Sequence, residues 1–169
     1  MNLPKWIRPF SKSDRGTKMG NIFNEDFQEF ISCLNDCDVK YILVGGYSVI
    51  LHGYSRTTGD MDIWVERTIE NYKKIRVAFL QFGMPLFDMT ENTFLNNREL
   101  DVFTFGRPPS SIDIMVAVKG LDFDECFKNA VFFEEEGIQI RTINIHNLIS
   151  AKKAAGRHKD LNDLEKLKP

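Results

Sequence analysis

Val44-Gly45-Gly46-Tyr47-Ser48 and Asp60-Met61-Asp62-Ile63-Trp64-Val65 are the two segments that decide the fold of this chain. The apolar run before Gly45 predicts a strand, and the run that starts at residue 60 predicts another. Because side chains alternate across a strand, Asp60 and Asp62 lie on one face. Two neighbouring carboxylates repel each other, so this face indicates a site for a cation rather than a part of the core.

The chemistry predicted for these segments is the binding of a metal and a triphosphate. Mg²⁺ is usually held by one or two carboxylates together with substrate phosphate oxygens. A Gly-Gly turn has no Cβ atoms, so its N–H groups can approach a phosphate closely. We therefore predict a metal–triphosphate site at Gly45, Gly46, Asp60 and Asp62, with Mg²⁺, or Mn²⁺ in its place, as the ion.

These residues resemble the signature of the polymerase-beta-like nucleotidyltransferase superfamily. The shared pattern is an apolar residue, Gly45-Gly46, a spacer of thirteen residues and Asp60-Met61-Asp62-Ile63. The segments 44–54 and 56–58 are similar to small bacterial minimal nucleotidyltransferases, including those of type IV toxin–antitoxin systems. Many superfamily members have Gly-Ser where this chain has Gly45-Gly46. Ser48 is predicted to supply the missing serine contact to the phosphates.

The resemblance also implies a third carboxylate on a later strand. Asp113 fits that position because apolar residues flank it in Ser111-Ile112-Asp113-Ile114-Met115-Val116, and Asp101 is its rival. In this interpretation Asp60, Asp62 and Asp113 are the catalytic and metal-binding residues. Asp60 and Asp62 bind the metal ions and the triphosphate, whereas Asp113 helps to activate the acceptor hydroxyl.

A cationic segment near the C-terminus, residues 151–161, is the second candidate for nucleotide binding. Lys153 or Lys152 is predicted to contact the phosphates, with Arg157 and Lys159 behind them, and structural ion pairing with Asp160 is the alternative. Arg56 either contacts phosphates or is an exposed loop arginine. The predicted nucleotide-binding residues are Gly45, Gly46, Ser48, Arg56, Lys153 and Arg157.

Composition indicates an ordinary globular protein. The 169 residues are 43% hydrophobic and 27% charged, which is enough apolar sequence for one real core. A net charge of −2 argues against a general nucleic-acid coat protein. No apolar run approaches the ~20 residues of a membrane span, so a cytoplasmic protein without a membrane partner is predicted.

Strands and helices interleave along the chain, which predicts an α+β fold with a mixed central β-sheet and helices packed on one face. Residues 1–20 carry five basic residues against one acid and are predicted to be a loosely ordered basic extension. Residues 21–169 are predicted to form a single nucleotidyltransferase-like domain, with a C-terminal helical pair in 145–169. Residues 138–143 are predicted to be an edge strand. Trp64 shares a face with Asp60 and Asp62 and could stack a base, but closing the sheet edge is the favoured interpretation.

Two functions follow. The first is a metal-dependent transfer of an NMP from an NTP to a hydroxyl of a protein, a tRNA or a small molecule, with release of pyrophosphate. Because the chain is short, a protein partner or a homodimer is predicted to complete the acceptor site. The second is a non-catalytic nucleotide-binding or antitoxin-like module that acts through a protein partner. The clustered aspartates favour the enzyme, because a scaffold gains nothing from them.

Overall fold

The computed structural model describes residues 24–107 and 110–167. The predicted extension at residues 1–20 lies outside the described residues. Seven helices and six strands are found within the described ranges. The helices are α1 (Glu25–Asp36), α2 (Gly45–Leu51), α3 (Ile69–Phe82), α4 (Glu91–Asn96), α5 (Phe123–Lys128), α6 (Ile145–Ala155) and α7 (His158–Lys166). The strands are β1 (Tyr41–Val44), β2 (Asp60–Val65), β3 (Val102–Arg107), β4 (Ser110–Met115), β5 (Val131–Glu135) and β6 (Ile138–Thr142).

The six strands form one mixed sheet in the order β3-β4-β2-β1-β6-β5. The pairs β1–β2, β3–β4 and β5–β6 are antiparallel, whereas β1–β6 and β2–β4 are parallel. A parallel pair needs a long crossover, and between β2 and β4 the chain forms α3, α4 and β3. The predicted mixed sheet is confirmed.

Local signals explain where the long helices begin and end. Asn24 caps α1, because its Oδ1 accepts a hydrogen bond of 2.8 Å from Phe27 N. Thr68 caps α3 in the same way, and α3 ends at Gly83, whose φ of +82° suits a residue without a Cβ atom. The predicted helices at the N-terminal end, after β2 and at the C-terminal end are confirmed.

The main core lies on one face of the sheet, beneath α1, α3 and α4. Phe30 of α1 packs edge-to-face against Phe79 and Phe82 of α3, with ring centroids 5.4 and 5.2 Å apart. From the sheet, Met61 and Ile63 of β2 reach into this layer and are fully buried. Burial of large aromatic side chains is the main source of stability here.

Helices cover the opposite face as well, which corrects the expectation of helices on one face only. A smaller core joins Ile42 and Trp64 of the sheet to Cys126 of α5, Leu148 of α6 and Leu167 just after α7. The physical reason is the alternation of side chains, because β1 is apolar on both faces and both must be covered.

Some strand and helix predictions are wrong or incomplete. The strand β6 is not an edge, since it lies between β1 and β5, and β5 was not predicted because its acids suggested a solvated turn. The short helix α4 was not predicted either. Trp64 lies on a central strand and is 2% exposed, so it fills the smaller core instead of closing the sheet edge.

No helix of the described residues is long and apolar enough to cross a membrane.

Candidate active site

The predicted aspartates meet on the face of the sheet that carries the smaller core. The parallel register of β2 and β4 sets Asp62 directly opposite Asp113, and Asp60 opposite Ser111. Residues opposite each other on neighbouring strands point to the same face, so the three carboxylates share one surface. The structure therefore brings Asp60, Asp62 and Asp113 together.

Hydroxyl groups hold two of the three carboxylates in place. The Ser111 hydroxyl donates to Asp60 Oδ1 at 2.8 Å, and the Thr104 hydroxyl donates to Asp113 Oδ1 at 2.7 Å. Within the described ranges, the side chain of Asp62 makes no hydrogen bond. Ser111 and Thr104 were not predicted, although each stands opposite an aspartate in the strand register.

Asp62 experiences the strongest electrostatic conflict in the site. Burial raises the pKa of its carboxyl to about 7, and the neighbouring charges of Asp113 and Asp60 add to the rise. The positive charges of Lys159 and Lys152 oppose it. A bound cation would remove this conflict, because an adjacent positive charge favours the ionised carboxylate.

Gly45 and Gly46 touch the site so closely that neither position has room for a side chain. Gly45 has a φ of +68°, and a Cβ atom there would overlap the carboxylate of Asp62. A Cβ atom at Gly46 would overlap the guanidinium of Arg56. The turn that opens α2 thus lies between a carboxylate and a guanidinium. Glycine is favoured at position 45 by contact and by backbone geometry, and at position 46 by contact alone.

A cleft of about 430 Å³ joins these groups to the C-terminal helices. Its acidic end holds Asp60, Asp62 and Asp113, and the exposed Asp101 also lines it. Its wall is formed by apolar residues at the margin of the smaller core, including Leu148. Its cationic end is lined by Arg56, Lys119, Lys152, Arg157 and Lys159, together with Asp160.

Buried ion pairs organise the cationic end. Lys152 is 5% exposed, and its Nζ lies 3.2 Å from Asp160 Oδ1 and 2.9 Å from Asp163 Oδ2. Arg56 Nε lies 3.2 Å from Asp163 Oδ1, and Arg157 Nε lies 2.7 Å from Asp160 Oδ2. The hydrogen bond of Arg157 raises the pKa of its own guanidinium and helps to lower that of the Asp160 carboxyl.

Two solved structures resemble this architecture at low sequence identity. A protein from Thermotoga maritima, provisionally described as a nucleotidyltransferase, is 16% identical with a TM-score of 0.53, over 83% of this chain and 88% of that chain. The lincosamide antibiotic adenylyltransferase LnuA, solved with lincomycin bound, is 14% identical with a TM-score of 0.56, over 88% of this chain and 98% of that chain. No family model and no curated protein matches the sequence.

The chain has a nucleotidyltransferase fold. This finding concerns the architecture, because the sequence identities are low. The predicted toxin–antitoxin subtype stays a prediction.

The carboxylates of this nucleotidyltransferase fold suit Mg²⁺ in number and in chemistry. All of the donors are oxygens, which Mg²⁺ prefers, and Asp62 lacks a partner of its own in the described part of the chain. In those same residues no three acidic, histidine or cysteine side chains converge closely enough to hold a metal by themselves.

Two predicted nucleotide-binding residues lie elsewhere. Ser48 is fully buried, and its hydroxyl donates to the carbonyl of Gly45 at 2.6 Å, because one helical turn brings position 48 back over position 45. Lys153 is exposed and does not line the cleft, whereas Lys152 does. Consecutive helical residues point in different directions, and Lys152 shares the buried stripe of Leu148 four residues earlier. That spacing was the signal available in the sequence.

The other predicted nucleotide-binding residues, Gly45, Gly46, Arg56 and Arg157, all line the cleft. Arg157 lines the cleft and pairs with Asp160, so the structural ion pair is seen, whereas contact with a nucleotide stays a prediction. Asp163 was not predicted as part of the site. Its place three residues after Asp160, which puts both on one face of α7, was the available signal.

Proposed function

We propose that this protein is a metal-dependent nucleotidyltransferase that transfers an NMP from an NTP to an acceptor hydroxyl and releases pyrophosphate. The observation that carries the proposal is the register of β2 and β4, which sets Asp62 opposite Asp113 beside the Gly45-Gly46 turn. This sets carboxylate oxygens, which are the ligands that Mg²⁺ prefers, next to a backbone turn suited to phosphates. The nucleotidyltransferase fold supports the same chemistry.

The carboxylates have separate roles in the proposed reaction. The acceptor oxygen attacks the α-phosphorus, and the bond between that phosphorus and the oxygen bridging to the β-phosphate breaks as pyrophosphate leaves. Asp113 accepts the proton of the acceptor hydroxyl, and Thr104 holds its other carboxylate oxygen. Asp60 and Asp62, with Asp113, would hold Mg²⁺ or Mn²⁺. The ion, when bound, neutralises charge on the phosphates and organises an in-line displacement.

The cationic end is proposed to bind the triphosphate. Arg56 lies against Gly46, and Arg157 and Lys159 line the same cleft with exposed side chains. Phosphoryl transfer depends on positioning and on positive charge near the phosphate oxygens. Lys152 is held between two carboxylates, so its main effect on the phosphates is through the network that it stabilises.

A cleft of about 430 Å³ is at the lower end of the range for small-molecule pockets. We propose that the nucleotide takes most of this space and that a protein partner or a second copy of the chain completes the acceptor site. The acceptor is a protein, a tRNA or a small molecule. A cytoplasmic location is the setting in which we propose that the protein works.

The decisive experiment is calorimetric titration of the four NTPs with and without Mg²⁺ or Mn²⁺. Wild-type protein should bind at least one NTP only when the metal is present. The isosteric variants Asp62→Asn and Asp113→Asn should weaken that binding by about 100-fold or more, because each replaces a charged oxygen ligand of the metal with a neutral amide. Asp88→Asn is the matched control, since Asp88 is exposed and lies outside the cleft.

Transfer is then tested with α-labelled NTP and candidate acceptors. Binding that needs no metal, or that survives in Asp62→Asn, would contradict the proposal. Metal-dependent binding without any transfer, together with a stable complex with one protein partner, would favour the non-catalytic antitoxin-like module.

A further inference from the structure

We propose that Asp163 is a positioning residue, whose carboxylate on α7 holds the guanidinium of Arg56 against the Gly45-Gly46 turn. The C-terminal helix thereby becomes part of the triphosphate site. The ligand rests on the proposed function, whereas the geometry comes from contacts within the chain.

The ion pair between Asp163 and Arg56 is well enclosed. Arg56 Nε lies 3.2 Å from Asp163 Oδ1, and the two side chains are 17% and 4% exposed. Charges at this depth are screened less by salt than surface pairs are. Because the guanidinium is a rigid planar fork, a carboxylate bound at Nε sets the direction in which the two Nη groups point.

One of those Nη groups lies at the turn. Nη1 of Arg56 occupies the space that a Cβ atom at Gly46 would fill. In the ranges that the structure describes, neither Nη group has a hydrogen-bond partner. The Nη donors of this largely buried guanidinium are unused although Asp163 lies at its Nε, and a phosphate oxygen at the glycine turn provides matching acceptors.

Asp163 is itself fixed from the other side. Its Oδ2 lies 2.9 Å from Lys152 Nζ, which Asp160 shares at a distance of 3.2 Å. Ion pairs therefore connect Lys152 to Asp163 and Asp163 to Arg56. Two carboxylates already balance Lys152, so Arg56 is the better available cation for an incoming phosphate.

A second set of contacts ties α7 to the loop that carries Arg56. Lys166 Nζ donates to the carbonyl of Ser55 at 3.2 Å, and Tyr54 packs against the smaller core that contains Leu167. The loop between α2 and β2 is thus held by α7 and Leu167 at Tyr54 and Ser55, directly before the Arg56 contact. Loss of the Asp163 carboxylate should loosen this loop locally.

The test uses two measurements on the same variants. Hydrogen–deuterium exchange of residues 53–59 reports the loop without any ligand. Titration with Mg²⁺ and inorganic tripolyphosphate, and with Mg²⁺ and each NTP, reports the phosphate site. The variants are Asp163→Asn, Arg56→Gln and the two combined. Ile75→Val is the matched control, because Ile75 is fully buried in the main core and its truncation lowers stability without touching the loop.

We expect Asp163→Asn to speed exchange of residues 53–59 and to weaken tripolyphosphate binding on the order of tenfold, as for one charge-assisted hydrogen bond. Because Asp163 acts through Arg56, the combined variant should bind no more weakly than Arg56→Gln alone. The Ile75→Val control should melt earlier while its loop exchange and its phosphate affinity stay unchanged.

Unchanged loop exchange in Asp163→Asn, or losses of affinity that add in the combined variant, would overturn the proposal. If wild-type protein binds neither tripolyphosphate nor any NTP, the proposed function fails, and the exchange data alone decide whether Asp163 positions Arg56. If Asp163→Asn does not fold, Arg56→Gln decides, since it breaks the same ion pair from the other partner: faster loop exchange supports the proposal, and unchanged exchange overturns it.

Discussion

The two ends of the cleft differ in how their charges are balanced. At the acidic end, Asp60, Asp62 and Asp113 face one another, and burial beside like charges raises the pKa of Asp62 to about 7. At the cationic end, Lys152 and its arginine neighbours are already paired with Asp160 and Asp163. The acidic end thus carries unbalanced negative charge, whereas these cations at the other end have carboxylate partners within the protein. Removal of a negative charge at the acidic end should therefore stabilise the folded protein. Removal of a positive charge at the cationic end should destabilise it.

The largest effect is expected from Lys152→Met. Removal of one partner from a buried ion-pair network leaves two carboxylates undercompensated, and we expect the free energy of unfolding to fall by about 3–5 kcal/mol. Denaturant unfolding measures the loss, with Lys153→Met as control. Lys153 is exposed on the same helix, so its substitution should change stability by about 0.5 kcal/mol or less. Equal losses of stability in the two variants would show that the buried and the exposed lysine contribute equally to the fold.

Gly45→Ala should have the next largest effect, because it combines backbone strain with a clash against Asp62. We expect a loss of about 2–4 kcal/mol in the free energy of unfolding and loss of metal-dependent NTP binding. Gly137→Ala is the matched control. Gly137 has a φ of +80°, but a Cβ atom there meets nothing within 4 Å. Its alanine variant thus carries the strain without the clash, and the difference between the variants measures the contact with Asp62.

Asp62→Asn should stabilise the protein while it abolishes the metal site. The folded pKa of Asp62 is raised above its unfolded value, so ionisation of this group makes the folded state less stable as pH rises. The gain from asparagine should be full above about pH 7 and should shrink as pH falls towards 4. The pKa shift sets an upper bound of about 4 kcal/mol, and we expect about 1–3 kcal/mol.

The direction of this change in stability is checked by thermal unfolding of Asp62→Asn and wild-type protein across pH 4–8, without metal. Asp88→Asn again serves as control and should show no pH-dependent gain. A destabilised Asp62→Asn at pH 8 would mean that the acidic end supports the fold.

The smallest effect is expected from Arg157→Gln. Arg157 pairs with Asp160 as Lys152 does, but its side chain is 60% exposed, so water screens the pair. The loss of stability should be below about 1 kcal/mol, while NTP binding should weaken severalfold. Chemical denaturation and titration, run beside Lys152→Met, separate the two roles. A loss of stability as large as that of Lys152→Met would show that the exposed fraction of a side chain does not determine how much its ion pair contributes to stability.

Sequence patterns located the acidic end better than the cationic end, for a physical reason. The alternation of a strand fixes which side chains share a face, so Asp60 and Asp62 could be placed together, and the flanking apolar residues placed Asp113 on a strand. The alignment of Asp113 with Asp62, however, depends on strand register, which the resemblance suggested but local sequence does not determine.

In helices, an error of one residue turns a side chain by about 100°. This rotation separates Lys152, which lies in the network, from the exposed Lys153. Ser48 was misplaced because α2 begins at Gly45, two residues earlier than predicted, so that its hydroxyl reaches a backbone carbonyl. The partnership of Asp163 with Arg56 spans most of the chain, and no local pattern encodes it.

The crossover between β2 and β4 also affects the order of events during folding. Asp62 and Asp113 become neighbours only after α3, α4 and β3 have been traversed and β4 has found its parallel partner. Contacts between distant parts of the chain form only after the entropic cost of loop closure has been met. This pairing should therefore be among the slower steps of folding. We expect a refolding chain to pair β1 with β2, which are closer in sequence, before it forms the proposed metal site. Uptake of metal during refolding would then mark the moment at which the sheet is joined.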